Sequence, residues 1–285
     1  MHELFKSMEA IQGKYYLRGN DLREDYEFNG AFIESGKNLY EVLRVIDGVI
    51  LFLDEHLERL YNSAKKSEVR PFVEHAEIKK LLKRLLMANN LQTGNLKIVF
   101  HYGSGEWEKN FKAYQIPYSY PTEENYIKGV TTGIYKFTRP NPEIKTWIGE
   151  FKEKVSQIKE ENSWFETILQ NENGTITEGS QSNIFVIKGN KIYTAPSGLV
   201  LEGITRKKIM SISEEEGFEV KEKEFDSGFL HSSDAVFLTG TSPKVLPVRQ
   251  IDEKEFKVNH KILTTLIKKY DLLIANYIRE RKDAV

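Results

Sequence analysis

The chain has 285 residues, a length that predicts about two domains. Its 41 Lys and Arg residues nearly balance 42 Asp and Glu residues, and the net charge of −1 excludes a general electrostatic attraction to nucleic acid or an anionic membrane. Hydrophobic residues make up 40% of the sequence, which is enough for packed cores. Cysteine is absent, which excludes disulfides, iron–sulfur clusters and a cysteine nucleophile.

Targeting signals are not evident in the sequence. The N-terminal run MHELFKSMEAIQGKYY has no continuous apolar stretch behind a basic start, so we expect no signal peptide. The longest dense apolar run, Val49 to Leu53, is far too short to span a bilayer. These observations predict a cytoplasmic protein without a membrane segment.

The first half of the chain alternates strand and helix patterns. Runs of β-branched and apolar residues indicate strands, and apolar residues three and four positions apart indicate helices. Asp47-Gly48 is typical of a two-residue hairpin turn. In chain order, the pattern predicts a strand over 39–46, its return strand over 49–53, helices over 55–66 and 74–89, and strands over 96–102 and 111–116 joined by a hairpin tip at 103–105.

A segment with two prolines, Pro117 to Thr122, follows the last of these strands. Proline favours an extended path and disfavours both helix and sheet, so this segment is typical of a linker. We therefore predict an N-terminal domain over 1–116, a linker over 117–124 and a C-terminal domain over 125–285.

The second half is interrupted more often by turns. Asn and Gly residues at 171–174 and 189–190 indicate hairpins, and Gly217 predicts the end of a helix. The predicted elements are strands over 130–137, 164–170, 175–177, 184–187, 192–194 and 235–238, and helices over 147–154, 205–216 and 259–281. Together the two halves indicate two mixed α/β domains.

Several common motifs are incomplete or absent. The six histidines are scattered and form no HExxH pair, so the sequence predicts no metal site. The run that starts at Gly103 resembles a dinucleotide fingerprint, but Glu108 replaces its third glycine. The run from Gly30 to Lys37 has the wrong spacing for a P-loop, and Asn38 stands in place of its Ser or Thr. No G-x-S-x-G nucleophile elbow occurs.

Six other segments, in a fixed order, carry a family resemblance. They are Tyr40 to Val42, Glu55 to Leu60, Arg139 to Thr146, Thr177 to Asn183, Gly203 to Arg206 and Thr239 to Ser242. Each segment alone is weak, but the ordered set resembles the class IV aminotransferases, which are fold-type IV pyridoxal 5'-phosphate (PLP) enzymes. The resemblance implies a mixed α/β fold with a smaller N-terminal α/β domain and a larger C-terminal domain that is mixed and β-barrel-like.

The resemblance implies that Lys145 is the catalytic lysine. PLP chemistry needs an amine that bonds to the cofactor aldehyde and later carries a proton. The resemblance also implies that Glu178 lies beside the pyridine nitrogen of the cofactor. A negative charge there keeps this nitrogen protonated and makes the ring a better electron acceptor. Glu178 precedes the apolar strand 184–187, where a carboxylate usually has a partner.

The cofactor phosphate needs cations and N–H donors. By resemblance Arg59, in the run HLERL, binds the phosphate, because a guanidinium can bind two of its oxygens. Ile204 and Thr205 begin a predicted helix, and a helix N-terminus offers free N–H groups to an anion. Thr241 and Ser242 add hydroxyl groups in a loop after a strand, although they also suit an ordinary turn.

The substrate-binding residues are less well defined. Tyr40 resembles a family tyrosine that lines the pocket, and an ordinary core aromatic fits the same pattern. The runs around Tyr40 and His56 are most similar to D-amino-acid aminotransferases, which bind the substrate carboxylate through an arginine and a histidine. The corresponding stretch here, 101–110, has no arginine. Branched-chain aminotransferases more often have a Phe-Glu-Gly run near Tyr40, and this run is also absent.

The resemblance implies a PLP-dependent transaminase. Its substrates would be an amino acid, either a branched-chain L-amino acid or a D-amino acid, and a 2-oxo acid such as 2-oxoglutarate. An aminodeoxychorismate lyase of the same fold is the alternative, and a non-catalytic PLP-binding relative is a further one. The joint presence of Lys145, Glu178 and Arg59 argues against a non-catalytic protein. The resemblance also implies a homodimer.

Overall fold

The computed structural model describes residues 9–103 and 109–283. Within these ranges the chain forms two compact units. The first unit contains the described residues up to Tyr118, the segment Ile144–Glu153 and the residues from Tyr277 onward. The second unit contains Ser119–Glu143 and Lys154–Asn276.

The first unit is built on an antiparallel sheet of six strands in the order β2-β1-β6-β5-β3-β4. Its strands are β1 (Gln12–Arg18), β2 (Asp21–Glu24), β3 (Lys37–Ile46), β4 (Val49–Ile50), β5 (Gly94–Tyr102) and β6 (Asn110–Ile116). The sequence pattern predicts β3 to β6, and these predictions are confirmed. It does not indicate β1 and β2, whose sequences QGKYYLR and DLRE mix charged and apolar residues without alternation.

The two faces of this sheet have different chemistry. Side chains alternate between the faces of a strand, so Leu39, Leu43 and Val45 of β3 point to one face. There they form a buried apolar core with the helices α1 (Leu53–Lys66) and α2 (His75–Ala88). The opposite face carries aromatic and charged side chains, and its central row across β3, β5 and β6 is Val42, Lys97 and Tyr114.

One predicted strand is shorter than expected. The sequence predicts a return strand over 49–53, but β4 ends at Ile50. Phe52 adopts a left-handed conformation with φ of 50° and directly precedes α1. Its buried ring packs on Tyr277, with 4.7 Å between the ring centroids. This packing holds a backbone conformation that ends the strand and starts the helix. Of the predicted hairpin tip at 103–105, residues 104 and 105 lie outside the described residues.

The second unit contains a mixed sheet of nine strands. Eight of them follow the order β12-β11-β10-β13-β14-β7-β8-β9, and β15 pairs with β14. The pairs β11–β12, β14–β7 and β7–β8 are parallel, and the others are antiparallel. The strands are β7 (Val130–Lys136), β8 (Glu166–Gln170), β9 (Ile176–Gly179), β10 (Asn183–Lys188), β11 (Lys191–Thr194), β12 (Glu219–Glu222), β13 (Ala235–Gly240), β14 (Lys244–Ile251) and β15 (Lys254–Glu255).

Five further helices complete the described chain: α3 (Glu123–Lys128), α4 (Gly149–Asn162), α5 (Ile204–Glu215), α6 (Ser227–His231) and α7 (Lys261–Asp283). Helix α3 begins inside the predicted linker because a capping box forms there. The Thr122 hydroxyl accepts the Asn125 N–H, and the Asn125 side-chain oxygen accepts the Thr122 N–H. None of the described helices is long and apolar enough to cross a membrane.

The chain passes between the units more than once. The first passage, at Tyr118–Ser119, falls within the predicted linker 117–124. The predicted C-terminal domain includes every residue after 124, whereas the segment Ile144–Glu153 and the end of α7 belong to the compact first unit. The first of these segments bonds to β3, where the Tyr40 N–H donates to the Lys145 carbonyl at 3.1 Å. Backbone pairing thus fixes Lys145 to the sheet of the first unit.

Candidate active site

Lys145 lies beside the N-terminal half of β3. A β-bridge pairs Leu39 with Thr146, and the Thr146 hydroxyl donates to the Asn38 carbonyl at 3.0 Å. The Lys145 side chain is partly buried, and its Nζ forms no ion pair with any of the described residues. Strand β3 therefore holds the backbone of this segment, while the Nζ of Lys145 has no counterion among the described residues.

The surroundings of Lys145 lower its pKa. Burial of the ammonium is the largest cause, and the positive charges of Arg59 and Lys152 act in the same direction. Tyr40 and Glu41 oppose this shift without cancelling it. A lower pKa increases the fraction of neutral amine, which is the form that attacks a carbonyl carbon and accepts a proton.

Tyr40 lies at the centre of a group of lysines. The Nζ atoms of Lys97, Lys145 and Lys152 are 4.8, 4.9 and 5.1 Å from the centroid of its ring. The Trp147 ring packs edge-on to the Tyr40 ring at 6.2 Å. Tyr40 also touches the apolar cluster on this face of the sheet. Tyr40 thus packs against a core, as an ordinary aromatic residue would, and it also lies beside the amine of Lys145.

A buried ion pair lies on the helical side of the same strand. Glu41 is fully buried, and it accepts bonds from Arg59 Nε at 2.7 Å and from Arg59 Nη2 at 2.6 Å. His56 Nδ1 is 2.7 Å from the same carboxylate. Arg59 is thus oriented by Glu41 through two parallel bonds, the geometry in which a guanidinium binds a carboxylate best. The predicted phosphate role of Arg59 stays a prediction.

The three side chains of this cluster, Glu41, His56 and Arg59, do not all carry a charge at pH 7. Burial alone would raise the pKa of Glu41, but the charge and hydrogen bonds of Arg59, with the hydrogen bond from His56, lower it to about 2. Burial lowers the pKa of His56 despite the neighbouring carboxylate. His56 is therefore neutral at pH 7, and its Nδ1–H donates to a charged Glu41. The ion pair of the cluster is Glu41 with Arg59.

Replacement of Glu41 by glutamine is expected to destabilise the protein by about 3 kcal/mol at pH 7, because the largely buried Arg59 loses the carboxylate that it binds through Nε and Nη2. The pKa of Glu41 is lower in the folded state, about 2, than its ordinary value of 4.5. The stabilisation is therefore complete above the ordinary value and is lost as the pH falls towards 2. Denaturant unfolding of the wild type and the variant from pH 7 to pH 3 measures both effects.

Glu58→Gln is the matched control for this variant, because Glu58 is an exposed glutamate on α1, the helix that carries Arg59. We expect it to unfold at the wild-type denaturant concentration. The assignment of Glu41 as a stabilising charge is wrong if both variants unfold alike at pH 7.

Glu178 is the centre of a second cluster, which lies within the second unit. Its carboxylate is buried, and Arg139 Nε donates to Oε1 at 2.7 Å. The other oxygen accepts the backbone N–H of Leu201 at 3.1 Å and the side-chain amide of Asn183 at 3.5 Å. Arg139 Nη2 also donates to the Ser180 carbonyl at 2.9 Å. These contacts favour a charged carboxylate held in one orientation.

Asn183 lies between the start of α5 and strand β13, two of the places where phosphate-binding residues are predicted. Helix α5 begins at Ile204 after Gly203, which offers no side chain to cap the helix. A side chain at Gly203 would collide with Asn183, since its Cβ would lie 2.1 Å from the amide oxygen. Asn183 also pairs with Thr239 at the end of β13, directly before Thr241 and Ser242.

These residues have the chemistry that PLP requires. Lys145 supplies a partly buried amine with a lowered pKa, and Glu178 supplies a fixed carboxylate. The start of α5 supplies backbone N–H groups, with Thr205 buried beside them. The hydroxyl of Thr239 is buried without a hydrogen-bond partner among the described residues. A polar group of a bound ligand could supply this partner. The donor set therefore fits the cofactor that the sequence implies.

Known proteins share both the sequence pattern and the fold. A family model described as amino-transferase class IV matches residues 38–251. The D-alanine aminotransferase of Bacillus licheniformis is 35% identical over 257 residues, which cover 86% of this chain and 89% of that protein. A putative branched-chain-amino-acid aminotransferase of Methanocaldococcus jannaschii is 28% identical over 271 residues, 90% of this chain and 93% of that protein. The solved Escherichia coli branched-chain amino acid aminotransferase is 21% identical, with a TM-score of 0.80 and coverage of 90% of this chain and 93% of that chain.

The fold is that of the solved fold-type IV aminotransferases, a class of PLP-dependent enzymes. Within this class, the chain belongs to the class IV aminotransferases. It is a transaminase, and PLP is the cofactor of its family. The predictions of family, fold class, cofactor and transaminase activity are confirmed. Both relatives named above are aminotransferases by name, and neither is a lyase.

Some residues of these clusters are not identified by the sequence analysis. Asn183 and Leu201, which hold Glu178, and Lys97, which borders Tyr40, are the main ones. The sequence contains a signal for Lys97, because a lysine stands between Leu96 and Ile98 in the middle of an otherwise apolar strand. A charge in such a place usually has a buried partner.

Proposed function

We propose that Lys145 would hold PLP covalently through its Nζ, and that its amine transfers the proton of the reaction once the amino group of the substrate has replaced it on the cofactor. The observation that carries this proposal is the environment of its Nζ, which combines burial, a lowered pKa and no ion pair with the described residues. When bound, PLP supplies an electron-accepting ring next to the carbon that reacts. The neutral amine of Lys145 removes the α-proton of the amino acid and later returns a proton during the transfer to the 2-oxo acid.

Other residues hold the cofactor in this proposal. Glu178 would pair with the pyridine nitrogen, and its bonds with Arg139, Asn183 and Leu201 keep its carboxylate in place. A charged carboxylate keeps that nitrogen protonated. Glu178 would thus influence the removal of the α-proton through the cofactor ring.

The phosphate would be bound by several groups at once. We assign to it the N–H groups of Ile204 and Thr205, the hydroxyls of Thr241 and Ser242, and Arg59. The first turn of α5 has N–H groups without helical partners, and its dipole favours an anion. Arg59 is already oriented by Glu41, so little of its conformational freedom would be lost on binding.

We propose D-amino acids as the preferred amino donors, with a 2-oxo acid as acceptor. The support is the 35% identity to a D-alanine aminotransferase over most of both chains. Branched-chain L-amino acids are the second candidate, because a putative branched-chain relative is 28% identical over a similar length. We also propose that the enzyme is a cytoplasmic homodimer, as the family resemblance implies.

A panel of donors decides between these substrates. The purified protein with PLP is incubated with one amino donor at a time: D-alanine, L-alanine, D-glutamate, L-leucine or L-valine. The acceptor is pyruvate for D-glutamate and 2-oxoglutarate for the other donors. We expect turnover with D-alanine and little with L-leucine and L-valine. The opposite ranking would contradict the D-specificity, and release of pyruvate from aminodeoxychorismate without an acceptor would contradict transamination. Sedimentation of the same preparation tests the dimer.

A further inference from the structure

Lys97 is a charged residue in the middle of a buried strand. It lies on β5, and its side chain is 2% exposed. Moving an ammonium group out of water has a large unfavourable free energy unless anions or other polar groups compensate for it. Burial is the largest cause of a lowered pKa, which is about 8 for Lys97. Lys97 therefore keeps most of its positive charge at pH 7.

Among the described residues, one carboxylate pairs with Lys97. Glu9 Oε2 accepts a bond from its Nζ at 2.6 Å. The remaining neighbours are aromatic, since the Nζ lies 4.0 Å from the centroid of the Trp147 ring and 4.8 Å from that of Tyr40. An ammonium has three N–H donors, and Glu9 accounts for one of them. Ring faces attract a cation but accept no full hydrogen bond.

Positive charge is concentrated around Lys97. Lys152 approaches the Trp147 ring to 3.6 Å and lowers the pKa of Lys97 through charge repulsion. Lys145 and Lys97 border the same Tyr40 ring at 4.9 and 4.8 Å from its centroid. Three ammonium groups thus share two aromatic rings. A small anion in this place would gain favourable interactions with several cations at once.

The residue that pairs with Lys97 on the neighbouring strand has a buried hydroxyl without a hydrogen-bond partner among the described residues. Tyr114 on β6 is directly opposite Lys97 in the antiparallel pairing, so both side chains are on one face of the sheet. The Tyr114 side chain is buried, and its hydroxyl has no hydrogen-bond partner among the described residues. A buried hydroxyl without a partner is unfavourable unless a ligand or water supplies an acceptor. This second observation also indicates an anionic or carbonyl oxygen near Lys97.

We propose that Lys97 binds the α-carboxylate of the amino acid and 2-oxo acid substrates. This inference rests on the proposed role of Lys145. Every substrate of the reaction has this carboxylate on the carbon whose amino or oxo group reacts. The Nζ atoms of Lys97 and Lys145 lie 4.8 and 4.9 Å from the centroid of the same Tyr40 ring. Glu9 has the same chemical group as the substrate and competes with it for the ammonium. Lys97 thus supplies the positive charge that the arginine-free stretch 101–110 lacks.

Steady-state kinetics of Lys97→Met test this role. The substitution keeps an unbranched side chain that is one atom shorter, and it removes the charge. We expect KM for D-alanine and for pyruvate to rise roughly 10- to 100-fold, the loss typical of a hydrogen bond to a charged group, with a smaller change in kcat. The inhibition constant of propionate, which has the carboxylate but no amino group, should rise by a similar factor. Lys97→Arg should restore part of the binding.

Lys112→Met is the matched control. Lys112 is a second buried lysine on the same sheet, but its Nζ lies over the Phe32 ring at 4.7 Å rather than beside Tyr40. We expect an unchanged KM and an unchanged propionate inhibition constant for this variant. Equal rises in both lysine variants would show a general loss of the sheet and would overturn the proposal.

Glu9→Gln separates substrate binding from a structural ion pair. If Glu9 competes with the substrate, its neutral variant should bind propionate several-fold more tightly and have a lower KM. Matching rises of KM in Glu9→Gln and Lys97→Met, with equal losses of thermal stability, would mean that the pair only supports the fold. This variant and Lys97→Arg also decide the question if Lys97→Met does not fold.

The substrate panel removes a further alternative. A rise of KM in Lys97→Met that is confined to glutamate and 2-oxoglutarate would assign Lys97 to a side-chain carboxylate and overturn the α-carboxylate assignment. A wild-type protein that binds PLP but transfers no amino group would instead contradict the proposed function. In that case propionate binding to the wild type and to Lys97→Met still tests the site.

Discussion

Replacement of Lys145 by alanine is expected to abolish measurable amino transfer, with a loss in kcat/KM of at least about 10³-fold. The variant loses two functions at once, since its side chain can neither bond to the cofactor aldehyde nor move the α-proton. The carbonyl of Lys145 accepts the Tyr40 N–H of β3, which holds the backbone of this lysine beside that strand. Initial rates with D-alanine over a range of concentrations measure the loss.

Lys154→Ala is the control for this experiment. Lys154 is an exposed lysine on α4 and has no place in the proposed chemistry. We expect wild-type kcat/KM and a normal absorption spectrum of bound PLP. In Lys145→Ala the visible spectrum should be that of cofactor without a covalent bond to the protein. A folded Lys145→Ala variant that keeps wild-type turnover would refute the assignment of the catalytic lysine.

Replacement of Glu178 by glutamine is expected to lower kcat by roughly 10- to 100-fold, as for the loss of a hydrogen bond to a charged group. An amide has nearly the same shape as the carboxylate but no charge, so it does not keep the pyridine nitrogen protonated. The ring then accepts electrons less well, and removal of the α-proton becomes slower. The reduction should fall mainly on kcat, because this carboxylate acts on the cofactor rather than on the substrate.

The structural consequences of Glu178→Gln need their own control. Arg139 loses its charged partner, and part of any loss could come from misplacement of its guanidinium. Glu172→Gln, at an exposed glutamate in the preceding hairpin, should leave kcat and unfolding temperature unchanged. If Glu178→Gln lowers the unfolding temperature but keeps wild-type kcat in the remaining folded protein, Glu178 is a structural residue and its assignment to the ring nitrogen is wrong.

The sequence alone determined the local elements with strong periodicity. The strands β3, β5 and β10 and the helices α1, α2 and α5 follow directly from apolar spacing and from turn residues such as Asp47-Gly48. It also determined the identity of the enzyme class, because the ordered segments from Tyr40 to Ser242 constrain residue type and spacing together. Each helix, turn and segment of this kind is recognised from residues that are neighbours in the chain, so no tertiary contact is needed to predict it.

The tertiary structure decided which charged groups meet. Glu41 binds Arg59 and His56 across a strand and a helix, and Lys97 meets Glu9 and Trp147 from distant parts of the chain. Neither set has a fixed sequence spacing, because each depends on the register of β-strands.

The same reason explains the return of the chain to its first unit. The segment 144–153 belongs there because its backbone pairs with β3, and a hydrogen bond to a distant strand leaves no trace in local composition. Residue types thus predicted Lys145 as the reactive lysine, whereas strand pairing placed it beside Tyr40 and within reach of the charges that lower its pKa.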